Sequence, residues 1–583
     1  MRRFILLLFT LSVVGGLVYL LAFPRQQSRD PLELVPQQAV LMLDWTDAAA
    51  ATREFFNSRF GQSLTSIDWP SVMEQLEVSE QVRDSLKQQA TRMMNFLAHP
   101  LFKELFTKRI VVALLPVDPV AFIADSQQAV SKNLLMLINP RYEGLLPRFL
   151  SLVTTVQDNV ESLSYQGIPV SAFALDGGGK LYVSSIDGQL VISPGLETVQ
   201  HSIDLSLKHL VQKQTGFVLN SEYTTLKDRA PKRDDFFFYV DLAGLKPLSN
   251  VLRPSVLAEK GRSLSEFAGS ERMVLFHRSY RNIQQFTSIV QFAPDQLAPF
   301  QKTIYTREPV QNRSLLNMPS DLLFYFWSNW LDLNAWWQET LARGTDDELA
   351  AAERIANWIE TQSGMSIDEF LALFGREFGF NISEIRTSGF FPVPRICCCI
   401  EMTDRDRVEQ LLEKIISGLP VRRDKVAGIP VVSIMAADGL MQPSYALLDR
   451  FLVVADSREQ IEDILRVSSK RLVKDDQFQA VDMGMLQPSN LVVFARTAEI
   501  IDGLKEFASW AGTIIAIRNE AAGYKSKILI DQVILPLLDG LKMYRAKGVR
   551  SYTAPGEVVL DSVILISDPG VDEPDPGTAD LAE

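Results

Sequence analysis

The tetrapeptide GIPV occurs twice in this chain, at 167–170 and again at 428–431. Aligning the two sets YQGIPVSAFALDGGGKLYVSSIDGQLVISPGLETVQHSI against VAGIPVVSIMAADGLMQPSYALLDRFLVVADSREQIEDIL. Asp176-Gly177 then faces Asp438-Gly439 and Asp187 faces Asp449, with one residue inserted after GIPV. Each copy reads as strand, turn, strand, tight turn, strand, helix, because alternating apolar runs are punctuated by turn-forming residues. The correspondence extends outward. VPQQAVLMLDW from Val35 matches MPSDLLFYFWSNW from Met318, and DDFFFYVDLAGLKPL from Asp234 matches SNLVVFARTAEIIDGL from Ser489. Each half closes on a strand-like run, at 286–295 and 560–569. The pattern predicts two related units, 32–296 and 315–569, joined by a linker at 297–314, rather than a solenoid of many short repeats.

With 583 residues the chain exceeds what one hydrophobic core sustains, which agrees with at least two domains. Within the second unit, ICCCIEM leads into a helix whose Val408, Leu411, Leu412 and Ile415 share a face, and Gly418 is placed to stop it. Three strands and a second helix follow, the helix opened by a capping-box pattern at Ser457 and Gln460. This order is α+β. Short turns predict antiparallel pairing and the helix after the first strand allows a βαβ crossover, so the expectation is a mixed, mostly antiparallel sheet with helices packed on one face.

Residues 4–23, behind Arg2 and Arg3, hold no charge and are long enough for the roughly 30 Å hydrocarbon core of a bilayer. The apolar run continues into bulky residues instead of a small-residue cleavage site, which predicts an uncleaved anchor over residues 1–30. Arg2 and Arg3 favour a cytoplasmic N-terminus, although Arg25 and Arg29 weaken the asymmetry. The expected location is therefore the inner (cytoplasmic) membrane, crossed once, with the bulk of the chain periplasmic or otherwise extracytoplasmic. The tail 570–583, acidic and proline-containing, predicts disorder. A net charge of −13 without a cluster of Lys and Arg argues against nucleic acid as a partner.

The anchor, the proline-led first strand, SGMSIDEFLALFGREFGF at 363–380, the TDRDRVEQLLEKI helix, the GIPV strand and LLDRFLVVADSREQIEDIL together resemble the bacterial family catalogued as "domain of unknown function 3352". The resemblance spans most of residues 34–569 and is strongest in the second unit; the first lacks the Ser366-to-Glu369 capping box. It implies an anchored envelope protein, and it carries no catalytic residues over.

Catalytic signatures are missing from the sequence: there is no GxSxG, HExxH, GxxxxGK[ST] or GxGxxG. DGGGK at 176–180 reads as a hairpin turn, since Leu181 stands where a phosphate loop needs Ser or Thr. His99, His201, His209 and His277 are scattered. Asp346 and Asp347 belong to a capping box formed by Thr345 and Glu348. Asn312 and Asn381 head formal glycosylation sequons. The three cysteines, Cys397, Cys398 and Cys399, are adjacent, so alternation in a strand puts Cys397 and Cys399 on one face. They read as small core hydrophobes rather than as metal ligands, and no metal or cofactor is expected.

Five of the eight tryptophans, Trp327, Trp330, Trp336, Trp337 and Trp358, crowd the start of the second unit. Exposed, they would line a groove for a lipid or glycan or rest at a membrane interface. Buried, they would fill a seam, with Trp330 and Trp337 on a single core-facing helical stripe, and that is the stronger expectation. The function expected is a non-enzymatic binding or scaffolding module of the envelope whose partner is another envelope protein; alternatives are a carrier of lipid or another hydrophobic ligand, and an unrecognised hydrolase.

Overall fold

The computed structural model describes residues 29–140, 160–175, 179–209, 211–212, 214–231, 234–252, 269–386, 393–436, 442–465 and 470–567. The apolar segment 4–23, the acidic tail 570–583, and the turns holding Asp176, Gly177, Asp438 and Gly439 lie outside the described residues. Among the described residues no helix is long and apolar enough to cross a membrane. The chain forms two compact units, Met1–Ala49 with Phe96–Arg229 and Ala50–Asn95 with Ala230–Glu583. This division by contacts falls at different places from the repeat boundaries read in the sequence. The class is α+β, helices with antiparallel sheet.

In the first unit β1 (Leu41–Thr46), β2 (Arg109–Leu114), β3 (Leu134–Asn139), β4 (Val160–Tyr165), β5 (Ile168–Ala174), β6 (Lys180–Ile186) and β7 (Gln189–Ser193) make one sheet. Its order is 1-2-3-7-6-5-4, every neighbour antiparallel. The GIPV segment enters β5 through a tight turn in which Gln166 and Gly167 both take positive φ, 49° and 82°. That is the two-residue turn whose twist matches paired strands. Helix Leu196–His209 buries Val199 and Ile203 completely. Asp44 of β1, 6% exposed, receives two hydrogen bonds from Arg109 of β2, at 2.7 and 2.8 Å.

The second unit contributes β8 (Phe236–Asp241), β9 (Ser270–Tyr280), β10 (Ile283–Phe292), β11 (Phe324–Ser328), β12 (Phe374–Arg386), β13 (Val393–Met402), β14 (Val421–Val426), β15 (Ile429–Ile434), β16 (Ser444–Leu447), β17 (Phe451–Ala455), β18 (Leu491–Ala495), β19 (Tyr544–Ala554) and β20 (Glu557–Ile566). Long hairpins β9–β10 and β19–β20 join side by side, and β18 then leads to β11. From there the order 11-12-13-17-16-15-14 has the same form as the seven strands of the first unit. Ala427 and Gly428 repeat the positive-φ turn, at 51° and 83°.

Two expectations about this sheet change. All neighbouring pairs along 11-12-13-17-16-15-14 are antiparallel, so the crossover after β13 makes no parallel pair there. The helix Arg405–Ile415 delivers the chain to the far strand β14, and the meander returns to β13 with its last strand reversed. Helices also cover both faces rather than one. Val408 and Leu411 pack with Val432, Tyr445 and Leu452, whereas Ile461 of the helix Arg458–Leu465 packs with Cys397, Val431 and Val453. Neighbours such as Val431 and Val432 point to opposite faces, and both are buried. Ile415, grouped with the buried face by its spacing, is 41% exposed, and Ile416 fills the core instead. The capping boxes at Thr345–Glu348 and Ser366–Glu369 form as read. The one at Ser457–Gln460 does not: the Gln460 carboxamide has no hydrogen-bond partner.

Candidate functional site

The second unit holds a cleft of about 600 Å3 lined by Thr306, Arg307, Asn329, Arg376, Glu377, Glu401 and Arg450, among others. Its floor is built by an irregularity in β12. The pairing of β12 with β13 shifts register between Phe374 and Phe378, so the amides of Arg376 and Glu377 leave the ladder. Both donate to Glu401 Oε2, at 2.9 and 3.1 Å. Gly375 makes this possible, since a Cβ there would stand 2.5 Å from the Glu401 carboxylate. A glutamate of β13 thus takes over acceptor positions that a regular strand would have supplied.

Arg450, beside β17, donates to Glu401 and lies 3.5 Å from Glu377. Glu377 also accepts from the Trp327 indole at 3.2 Å. The two carboxylates are driven apart in proton affinity. Burial, then the like charge of Glu401, raises Glu377 above the usual carboxylate range, against Arg450 and the indole. Burial works to raise Glu401 too, but the bonds from Arg450 and the two amides outweigh it and hold it below that range. Across the cleft Arg307, whose side chain is 7% exposed, donates to the carbonyls of Asn329 and Leu331 and to Asp332. Arg376 and Arg450 are exposed cations of the rim, with side chains 64% and 60% exposed.

Because the folded pKa of Glu377 is raised, its protonation contributes stability fully below the unfolded-state value, about 4.3, and that contribution is lost as pH rises through the folded value. Glu377→Gln therefore raises the thermal midpoint at pH 7 and leaves it near wild type at pH 3.5 when both are followed by calorimetry. Equal midpoints at pH 7 would show that the carboxylate carries no penalty there.

The five tryptophans do not converge. Trp327 is buried in the core with Tyr325, Phe478 and Phe494, and only its indole N–H reaches the cleft. Trp337 is buried against Ala352 and Leu371. Trp336 and Trp358 are 52% and 59% exposed, and Trp330 is half-buried with its indole nitrogen unpartnered. Trp330 precedes the helix Leu333–Arg343, so it shares no helical stripe with Trp337. The sequence reading missed the Glu377–Glu401–Arg450 group altogether. Its only local signal was a pair of glycines, Gly375 and Gly379, inside a strand pattern, which marks bulges and close approaches.

No family model matches the chain, and none of the curated proteins does. Three crystal forms of TP0453 resemble part of it. Form III is 13% identical with a TM-score of 0.26, covering 47% of this chain and 84% of that one. Form I is 14% identical with a TM-score of 0.24, covering 46% and 81%; form IV is 11% identical with a TM-score of 0.25, covering 46% and 83%. Likeness of that degree assigns neither fold nor function.

Other sequence candidates are absorbed by structure. Asn312 is buried and donates to the Tyr325 hydroxyl at 2.8 Å, and Asn381 is 5% exposed, so neither presents a sequon. Cys397 lies in the core with Cys399 packed beside it, and burial pushes the Cys399 thiol up to about 12. Among the described residues no three metal-ligating side chains cluster. The His277 ring packs at a tilt of 34° against Phe286, centroids 4.4 Å apart.

Proposed function

We propose that this chain is a non-enzymatic binding or scaffolding protein of the envelope, tethered by residues 4–23 with its bulk on the extracytoplasmic side, and that it holds a polar segment of another envelope component in the Arg450–Glu401 cleft. The observation that carries this reading is the chemistry of the cleft. It is large enough for a ligand, and its wall is polar, with two exposed guanidinium groups at the rim. A polar wall is poorly suited to an acyl chain, and the scattered tryptophans add nothing to the lipid-carrier alternative. The charge-free segment 4–23 and the resemblance in sequence support a membrane location. The recurring order 1-2-3-7-6-5-4 supports descent of the two seven-strand sheets from one duplicated unit.

The test is photocrosslinking in cells with a benzophenone side chain at Thr306, an exposed residue of the cleft rim. A discrete adduct is expected from Thr306, lost in the Arg376→Glu background and absent when the probe replaces Trp358. No adduct at Thr306, or one indifferent to the charge reversal, sinks the proposal. One observation favours a second reading, a hydrolase: the opposed proton affinities of Glu377 and Glu401 form the pattern of an acid–base pair. Turnover of any ester, amide or glycoside substrate that disappears in Glu377→Gln would establish it.

A further inference from the structure

A second, smaller cavity of about 170 Å3 lies in the same unit, bounded by β12, β13, the helix Arg458–Leu465 and the segment before β11. At about 30 Å3 per water it has room for roughly six waters, or for one sugar ring. Its wall is rich in buried polar atoms without partners. Gln460, 2% exposed, has both carboxamide atoms unpaired, and Asn381, 5% exposed, has its Oδ1 unpaired. The Ser383 hydroxyl and Arg395 Nε are unpaired as well. Buried polar groups are almost always hydrogen-bonded, so such a concentration points to something that pairs with them.

The local backbone has been shaped to present these groups. The register of β12 against β13 shifts between Ile382 and Glu384, leaving Ser383 out of the ladder, and bulges of this kind re-aim side chains next to binding sites. Gln460 has forgone the cap it could have made with Ser457. At the aligned place in the first unit stands Thr198, whose hydroxyl is satisfied by the Lys132 carbonyl at 2.7 Å. An unpaired side chain at this helix position is therefore particular to the second unit.

We propose that this cavity binds one uncharged sugar ring through its hydroxyl groups. The unpaired set mixes donors with acceptors, and a hydroxyl is the ligand group that serves both. Asp321, Glu384 and Asp463 against Arg395 give the lining a formal charge of −3 + 1 = −2, which repels phosphate or carboxylate. The three carboxylates belong to exposed residues, whereas the buried unpaired atoms are those of two amides, a hydroxyl and a guanidinium, so an ammonium seated among them would have no counter-charge there. Leu322 and Ile464 offer apolar surface for the C–H face of a ring. The proposal is independent of the larger cleft.

The test uses the full chain in detergent, with saturation-transfer NMR and calorimetry against D-glucose, D-galactose and N-acetyl-D-glucosamine; glucose 6-phosphate and ethanolamine serve as charged controls. At least one neutral sugar is expected to show transfer, and Gln460→Met to weaken it at least tenfold. Removing an orphaned amide leaves the unfolding midpoint of the ligand-free variant unchanged or raised. Ser383→Ala is expected to weaken the same sugar, which keeps the test decisive if Gln460→Met folds poorly. Silence from all three sugars on folded wild type, which would mean a hydrated cavity only, overturns the proposal. So does preference for a charged control, or sugar binding that survives both substitutions.

Discussion

Arg109→Met destabilises the first unit by about 3–5 kcal/mol, the range found when one partner of a buried ion pair is removed. Arg109 grips Asp44 with two hydrogen bonds, from Nε at 2.7 Å and Nη2 at 2.8 Å, and its Nη1 reaches Asp30 at 2.9 Å. Asp44 is 6% exposed, and its other cationic neighbour, Lys227, is 3.8 Å away. Without the guanidinium a carboxylate remains in a largely dry site with only that distant compensation. The pair itself adds less than this figure, because desolvating both charges offsets much of their attraction. Arg109→Met with Asp44→Leu therefore recovers most of the loss, and the two changes are strongly non-additive. Urea unfolding followed by circular dichroism measures both; a loss below about 1 kcal/mol for the single variant would place the pair in the class of exposed salt bridges.

Trp337→Ala lowers stability of the second unit by about 3–5 kcal/mol, whereas Trp336→Ala changes it by less than about 0.5 kcal/mol. The contrast between adjacent residues is the informative part. Trp337 is 5% exposed and fills the space between its own helix, Ala352 and Leu371. Its removal forfeits the transfer of an indole out of water and leaves a cavity that the surrounding helices close only in part. Trp336 and Trp358 are more than half exposed, so truncating them removes little buried surface. Denaturant midpoints of the three single variants decide the matter; equal effects would mean that the exposed indoles are covered in solution. Loss of partner crosslinking in Trp358→Ala without loss of stability would further move the binding surface of the proposed scaffold away from the cleft.

Features governed by a few neighbouring residues were legible in the chain. Thr345 with Glu348 and Ser366 with Glu369 close capping boxes because both partners sit within one turn. The turns at Gln166-Gly167 and Ala427-Gly428 follow from glycine's tolerance of positive φ. Cys397 and Cys399 pack on one face because a strand alternates. Legibility failed where a residue's surroundings come from distant segments. Gln460 matches a capping box locally, yet its neighbours across the cavity are Asn381 and Arg395, and burial there leaves the amide unpaired. Glu377, Glu401 and Arg450 come from three places in the chain and meet only because β12, β13 and β17 lie side by side.

The sequence by itself determined the α+β class, the strands and helices around the two GIPV segments, and the likeness of those segments, all consequences of periodicity and turn chemistry acting over short spans. Tertiary structure alone decided the strand order, with a meander returning to β13 in antiparallel sense, and the sorting of Trp336 outward and Trp337 inward. It also decided the assembly of both polar cavities. Those outcomes depend on which faces meet after the chain has closed loops of many residues, and no local pattern encodes that.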